Sequence, residues 1–148
     1  MKLLPNSIVG DKAFALSVKM VKAARRLMHD EGEYELGRQL LRSGTSIGAN
    51  ITEAQGGISR ADFSAKISIA YREALETKYW LNLLYQTQLL AEDEFNQLLW
   101  ETDDVSRMLF KILKKMGRIR DQYSLKVEED TTEYLNLPKW LSEEEENH

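Results

Sequence analysis

The chain has 148 residues, 43% of them apolar and 30% charged, which describes one water-soluble globular domain. It contains no cysteine, which excludes disulfides, thiol nucleophiles and thiolate metal sites; no apolar run is long enough to cross a membrane, and the expected location is the cytoplasm. The net charge of −4 is unevenly spread: residues 1–120 carry +3 and residues 121–148 carry −7, so a mildly basic body is followed by an acidic extension.

Four helical patterns succeed one another. The first runs from Asp11, a candidate cap, to His29, with Phe14, Val18, Val21 and Met28 at helical spacing and Leu16, Met20 and Leu27 widening the apolar arc. Lys12, Lys19, Lys22 and Arg26 share the other side. The second spans Glu33 to about Gln55, with Leu36, Leu40, Ile47, Ile51 and Ala54 as its buried stripe. "GGIS" should end it, with Gly56 or Gly57 at positive φ. Ser59 then caps the third helix, and Asp62 completes a weak capping box.

The third pattern reaches from Arg60 to about Leu90, with Phe63, Ile67, Ala70, Ala74, Thr77, Leu81 and Leu84 on one stripe. Tyr71, Leu75, Tyr79, Ile69 and Trp80 add more apolar surface than one contact face needs. The fourth runs from about Asp93 to Met116 along Phe95, Leu98, Leu99, Thr102, Val105, Leu109, Ile112 and Met116. Short connections between long helices make neighbours antiparallel. The expected fold is therefore all-α: an up-and-down four-helix bundle over residues 1–120, followed by an acidic, partly disordered extension over residues 121–148.

The segment "LLRSGTSIGANITEAQGG", residues 40–57, concentrates glycines. A phosphate loop requires a preceding strand and glycines at a helix start, and neither is present. Gly37, Gly44 and Gly48 instead fall on one flank of the second helix. Each sacrifices about 1 kcal/mol of helix propensity, offset by the close approach of a neighbouring backbone. On the other flank lie Arg42, Ser46, Asn50 and Glu53. Together with Glu73 and Glu76 of the third helix they form a candidate structural polar network that sets register.

No catalytic, cofactor-binding or metal-ligating residue is assigned. Of the two histidines, His29 stands outside any Glu-x-x-His pair and His148 lies in the acidic extension, away from the helical patterns, and no base is placed to activate a Ser or Thr. An all-carboxylate Mg or Mn site is allowed by residue type, but Arg42 would satisfy those carboxylates without a metal.

The stretch "RQLLRSGTSIGANITEAQGGISRADFSAKISIAYREALETKYWLNLL" resembles the core of the 23S ribosomal RNA intervening-sequence protein family, small bacterial four-helix bundle proteins. The likeness covers about Ile8 to Lys115. Arg42-Ser43, Ser46-Ile47, Asn50-Ile51, Glu53, Phe63, Lys66, Ala70, Glu73, Glu76 and Leu81 carry it. The resemblance implies a homopentameric ring with no established catalytic residues and no cofactor. More distant relatives include the accessory protein of diversity-generating retroelements, which resembles a basic pentamer binding nucleic acid and a reverse transcriptase. The surplus apolar surface around Ile69, Leu75, Tyr79, Trp80 and Leu83 is the candidate oligomer interface.

Two partner classes remain open. RNA or DNA would bind basic helix faces, one made of Lys12, Lys19, Lys22 and Arg26, the other of Arg107, Lys111, Lys114, Lys115 and Arg118. The alternative is a structural or protein-partner scaffold, in which those faces are ordinary solvated surface. A metal-dependent enzyme is the least favoured class.

Overall fold

A computed structural model describes residues 7–118 as four helices: α1 (Ile8–His29), α2 (Tyr34–Gln55), α3 (Arg60–Gln86) and α4 (Glu92–Lys115). The connections are four, four and five residues long, so each helix reverses on the one before it, and α1 closes the ring against α4. Among the described residues there is no strand. The acidic extension 121–148 lies outside them.

The core is a column of apolar side chains contributed by all four helices. Leu16, Met20 and Leu27 of α1 meet Leu40, Ile47 and Ile51 of α2, Ile67, Leu81 and Leu84 of α3, and Leu98, Val105 and Leu109 of α4. Each such side chain contributes about 1.5–3 kcal/mol when fully withdrawn from water. Tyr85 and Phe95 stack with ring centroids 4.3 Å apart and planes 6° from parallel, which closes the α3–α4 hairpin.

Four local expectations are corrected. Ser7, not Asp11, caps α1: its Oγ accepts from the Gly10 N–H at 3.0 Å, and Asp11 lies in the first turn. The buried face of α1 is also rotated from the expected one. Ala13, Ala23 and Ala24 are buried with Leu16, Met20 and Leu27, whereas Phe14 and Val18 are exposed. The reason is steric: α2 presents glycines to α1, and Ala13 and Ala24 let the α1 backbone approach Gly48 and Gly37 while Met20 and Met28 fill the space beside Gly44 and Gly37.

Neither Gly56 nor Gly57 adopts positive φ; Gly56 sits at φ −87°. Gly57 is needed for space, since a Cβ there would stand 2.9 Å from the Ala54 carbonyl oxygen and 3.2 Å from Asp62 Oδ2. Finally, α3 ends at Gln86, four residues early. The Leu89 N–H donates to Leu84 O at 2.8 Å and the Gln88 N–H to Tyr85 O at 3.0 Å, around Gln88 at φ 63°. That is a Schellman closure on a residue other than glycine.

At the start of α3, Ser59 Oγ accepts from the Asp62 N–H at 3.0 Å as expected. The return bond goes one residue further back than in a capping box, from the Ile58 N–H to Asp62 Oδ2 at 3.3 Å.

Candidate functional site

The glycines of α2 line its contact with α1. A Cβ on Gly37 would lie 2.6 Å from Met28 Cγ and 3.4 Å from Ala24 O; one on Gly44 would lie 2.6 Å from Met20 Cγ; one on Gly48 would lie 3.2 Å from Ser17 Oγ and 3.5 Å from Ala13 O. The α1 backbone comes close at Gly37 and Gly48, and the Met20 side chain packs onto Gly44 between them. Thr45 and Thr52 turn their hydroxyls onto carbonyls one turn back, at 2.7 and 2.8 Å, so their polar atoms are satisfied without a ligand.

The polar residues between α2 and α3 divide into separate groups. Arg42 Nη1 lies 3.4 Å from Glu73 Oε2, and Arg42 Nη2 also donates to Glu76 Oε1. Trp80 Nε1 donates to the same Glu76 oxygen at 3.1 Å. This clamp of one guanidinium, two carboxylates and an indole fixes α2 against α3. Ser46 and Asn50 do not join it: Ser46 Oγ donates to Arg42 O at 2.6 Å, and Asn50 Nδ2 donates to Ser46 O at 2.8 Å. Glu53 is bound instead to Lys66, at 2.6 Å, and its hydrogen bond and charge raise the Lys66 ammonium above its usual pKa.

The basic face of α1 meets a row of acids on α4. Lys12 lies 2.5 Å from Asp104, Lys19 binds Glu101, and Arg26 lies 2.5 Å from Glu94, so the pairs run antiparallel down the α1–α4 seam. Lys22 alone of that face has no carboxylate partner among the described residues. The acids Glu94, Glu101 and Asp104 were not singled out from sequence. The signal was present, since Lys12, Lys19 and Arg26 repeat every seven residues, as do Glu94 and Glu101.

On α4 itself, Arg107 bonds Asp103 at 2.7 Å, and Lys78 of α3 reaches the same carboxylate at 2.9 Å. The Lys78 hydrogen bond, with Arg107 assisting and desolvation opposing, holds the Asp103 carboxyl below its usual pKa. Further along, Lys111, Lys115 and Arg118 are exposed with no carboxylate partner among the described residues, and Lys114 is exposed beside them.

The five apolar residues singled out on α3 differ in exposure. Leu75 and Tyr79 face solvent, 42% and 60% exposed. Ile69, Trp80 and Leu83 are half-buried, and Trp80 packs against the core with its ring edge-on to Tyr79 at 4.9 Å. Large apolar exposure also occurs where the sequence did not point: Phe14 and Val18 on α1, and Trp100 on α4, which is 63% exposed.

Among the described residues no group of three or more His, Asp or Glu is arranged to hold a metal. His29 stands exposed in the last turn of α1. No helix of the described residues is long and apolar enough to cross a membrane. What the site does present is a tightly clamped bundle with exposed cations gathered where α4 ends.

The chain matches the 23S rRNA-intervening sequence protein family over residues 6–111. It is similar to a solved protein of unknown function from the S23 ribosomal protein family of Bacteroides thetaiotaomicron. The two share 39% sequence identity and a TM-score of 0.71, over 72% of this chain and 96% of that one. Comparison with curated proteins gives no match.

Proposed function

This chain belongs to the 23S rRNA-intervening sequence protein family, and from that membership we propose that it is a non-enzymatic, oligomeric binding module that engages nucleic-acid phosphates. Neither the family's description nor that of the similar solved protein names an activity. Copies assemble through apolar surface that a single bundle leaves in water, with Leu75 and Tyr79 of α3 at its centre. The pentamer implied by the sequence resemblance would bring five copies of each cation cluster to one particle, and multivalency turns modest single contacts into useful avidity.

The observation that carries the nucleic-acid reading is the contrast between the two basic faces. On α1, three of the four cations of the face made by Lys12, Lys19, Lys22 and Arg26 are engaged by α4 carboxylates, so that face offers little to phosphate. Lys111, Lys115 and Arg118, with Arg60 at the start of α3, have no carboxylate partner among the described residues and cluster at one end of the bundle. Binding there rests on phosphate contacts and carries little sequence information.

The test is filter binding of structured RNA to the full chain across a salt series. Retention at low salt that falls steeply as salt rises, and that is weakened by Lys111→Glu with Lys115→Glu, supports the reading. No retention at low salt refutes it. A protein-partner scaffold is the second reading, favoured by the exposed Trp100 and by the exposed Phe14 and Val18. A pull-down that recovers a defined protein and no RNA would select it.

A further inference from the structure

The two ends of the bundle differ in charge. At one end, where α1 ends and α4 begins, Asp30, Glu31, Glu35 and Glu92 are exposed. At the other, the start of α3 faces the end of α4 across an open cavity of about 440 Å³ lined by Arg60, Ala61, Ser64, Met116, Gly117 and Arg118. Lys111 and Lys115 are exposed on the last turns of α4, at the same end of the bundle, and Ile58 stands almost fully in water, 97% exposed, in the α2–α3 turn. Antiparallel helices cancel one another's dipoles at each end, so these side chains themselves set the local charge. The nearby acids are largely occupied: exposed Glu53 holds Lys66, and Asp62 accepts from the Ile58 N–H, which leaves Asp11 exposed without an ion-pair partner among the described residues.

The described residues stop at this basic end. Gly117, at φ +69°, lets the Arg118 N–H fold back onto Leu113 O at 3.0 Å, so the backbone turns beside the cavity. The acidic extension continues from there, with nine Asp and Glu against two Lys over residues 121–148. It begins with Asp121 and reaches the Glu128-Glu129-Asp130 cluster within a dozen residues of Arg118. It also carries the apolar run "YLNLPKWL" before its terminal glutamates.

From these observations we infer that the acidic C-terminal segment docks on the basic end of its own bundle, its carboxylates pairing with Arg60, Lys115 and Arg118 beside the cavity. The tether makes the contact intramolecular, at an effective concentration of about millimolar, which compensates for weak individual pairs. The opposite end, where exposed acids stand among Arg25 and Arg38, offers the segment less attraction. The docking requires no nucleic acid and stands whether or not phosphate binds there. If phosphate does bind there, the segment competes for the same cations.

The experiment is hydrogen–deuterium exchange on the full chain at low and high salt, tracking peptides from residues 121–148. It is paired with the variant Arg60→Glu/Lys115→Glu/Arg118→Glu, whose three positions contribute no buried contact. Three exposed pairs of ordinary strength amount to about a tenfold bias, so amides of the segment should exchange about tenfold more slowly in the wild-type chain at low salt than in the variant. High salt should erase the difference. Adding Glu128→Lys/Glu129→Lys/Asp130→Lys to the variant should restore protection. Equal exchange in the wild-type and variant chains at low salt overturns the inference. So does carbodiimide cross-linking of mixed light and heavy isotope-labelled protein that joins the segment only to other copies.

Discussion

Ser43 is fully buried on α2, and its hydroxyl has no hydrogen-bond partner among the described residues. A buried polar group in that position opposes folding, and serine is also a weaker helix former than alanine. Ser43→Ala should therefore stabilise the bundle by about 1 kcal/mol, read as a higher denaturant midpoint at unchanged slope. A lower midpoint would contradict an unsatisfied hydroxyl at this position. Its neighbour Gly44 behaves oppositely. Met20 fills the space where a side chain would go, so Gly44→Leu should destabilise by about 1–3 kcal/mol despite its better helix propensity. An unchanged melting curve contradicts the close-packed seam. Gly37, Gly44 and Gly48 were legible because three glycines on one helical flank have few other uses. The stop at Gln88 was not, because glutamine carries no mark of the left-handed conformation that it adopts. Nor was the role of Gly57, whose constraint comes first from the Ala54 carbonyl and then from Asp62 and Phe63 on the far side of a turn.

Helix faces were read less well than helix spans. In α1 the larger Phe14 and Val18 suggested the inward side, yet α2's glycines select the alanine-rich side. Hydrophobic periodicity locates an arc, and only the partner surface decides where within it the contact falls. The cations of α1 were likewise visible, while their engagement by α4 depends on which helix closes the ring. Reversing Lys12, Lys19 and Arg26 to Glu should lower stability by about 1–3 kcal/mol, and reversing Asp104, Glu101 and Glu94 to Lys in the same chain should recover most of it. Chemical denaturation by urea, which leaves charges unscreened, checks both. No recovery in the six-fold variant would show that the row is incidental.

Between α3 and α4, Asp103 titrates lower when folded than the ordinary carboxyl value of 3.8. Its contribution is thus complete above that pH and is lost as pH falls through the folded value. The stability difference between wild type and Asp103→Asn should be constant near neutrality and shrink on acidification below about pH 4. A difference that grows on acidification would contradict the Lys78 contact as its cause.

For the molecule as a whole, four long amphipathic patterns joined by short links leave little choice but an antiparallel bundle, and that architecture was legible from periodicity and link length alone. The polar clamp was legible only in part. Arg42, Glu73 and Glu76 meet, whereas Ser46 and Asn50 satisfy themselves on their own helix, a local choice that residue type does not reveal. Assembly was suggested by surplus apolar surface, and a single chain still leaves Leu75, Tyr79 and Trp100 in water.

The central claim is that this bundle works as a multi-copy particle. Static light scattering on the full chain at micromolar concentration tests it most directly. The account predicts a mass near five times the 17.1 kDa of one chain. A mass of one chain across the accessible concentration range contradicts it.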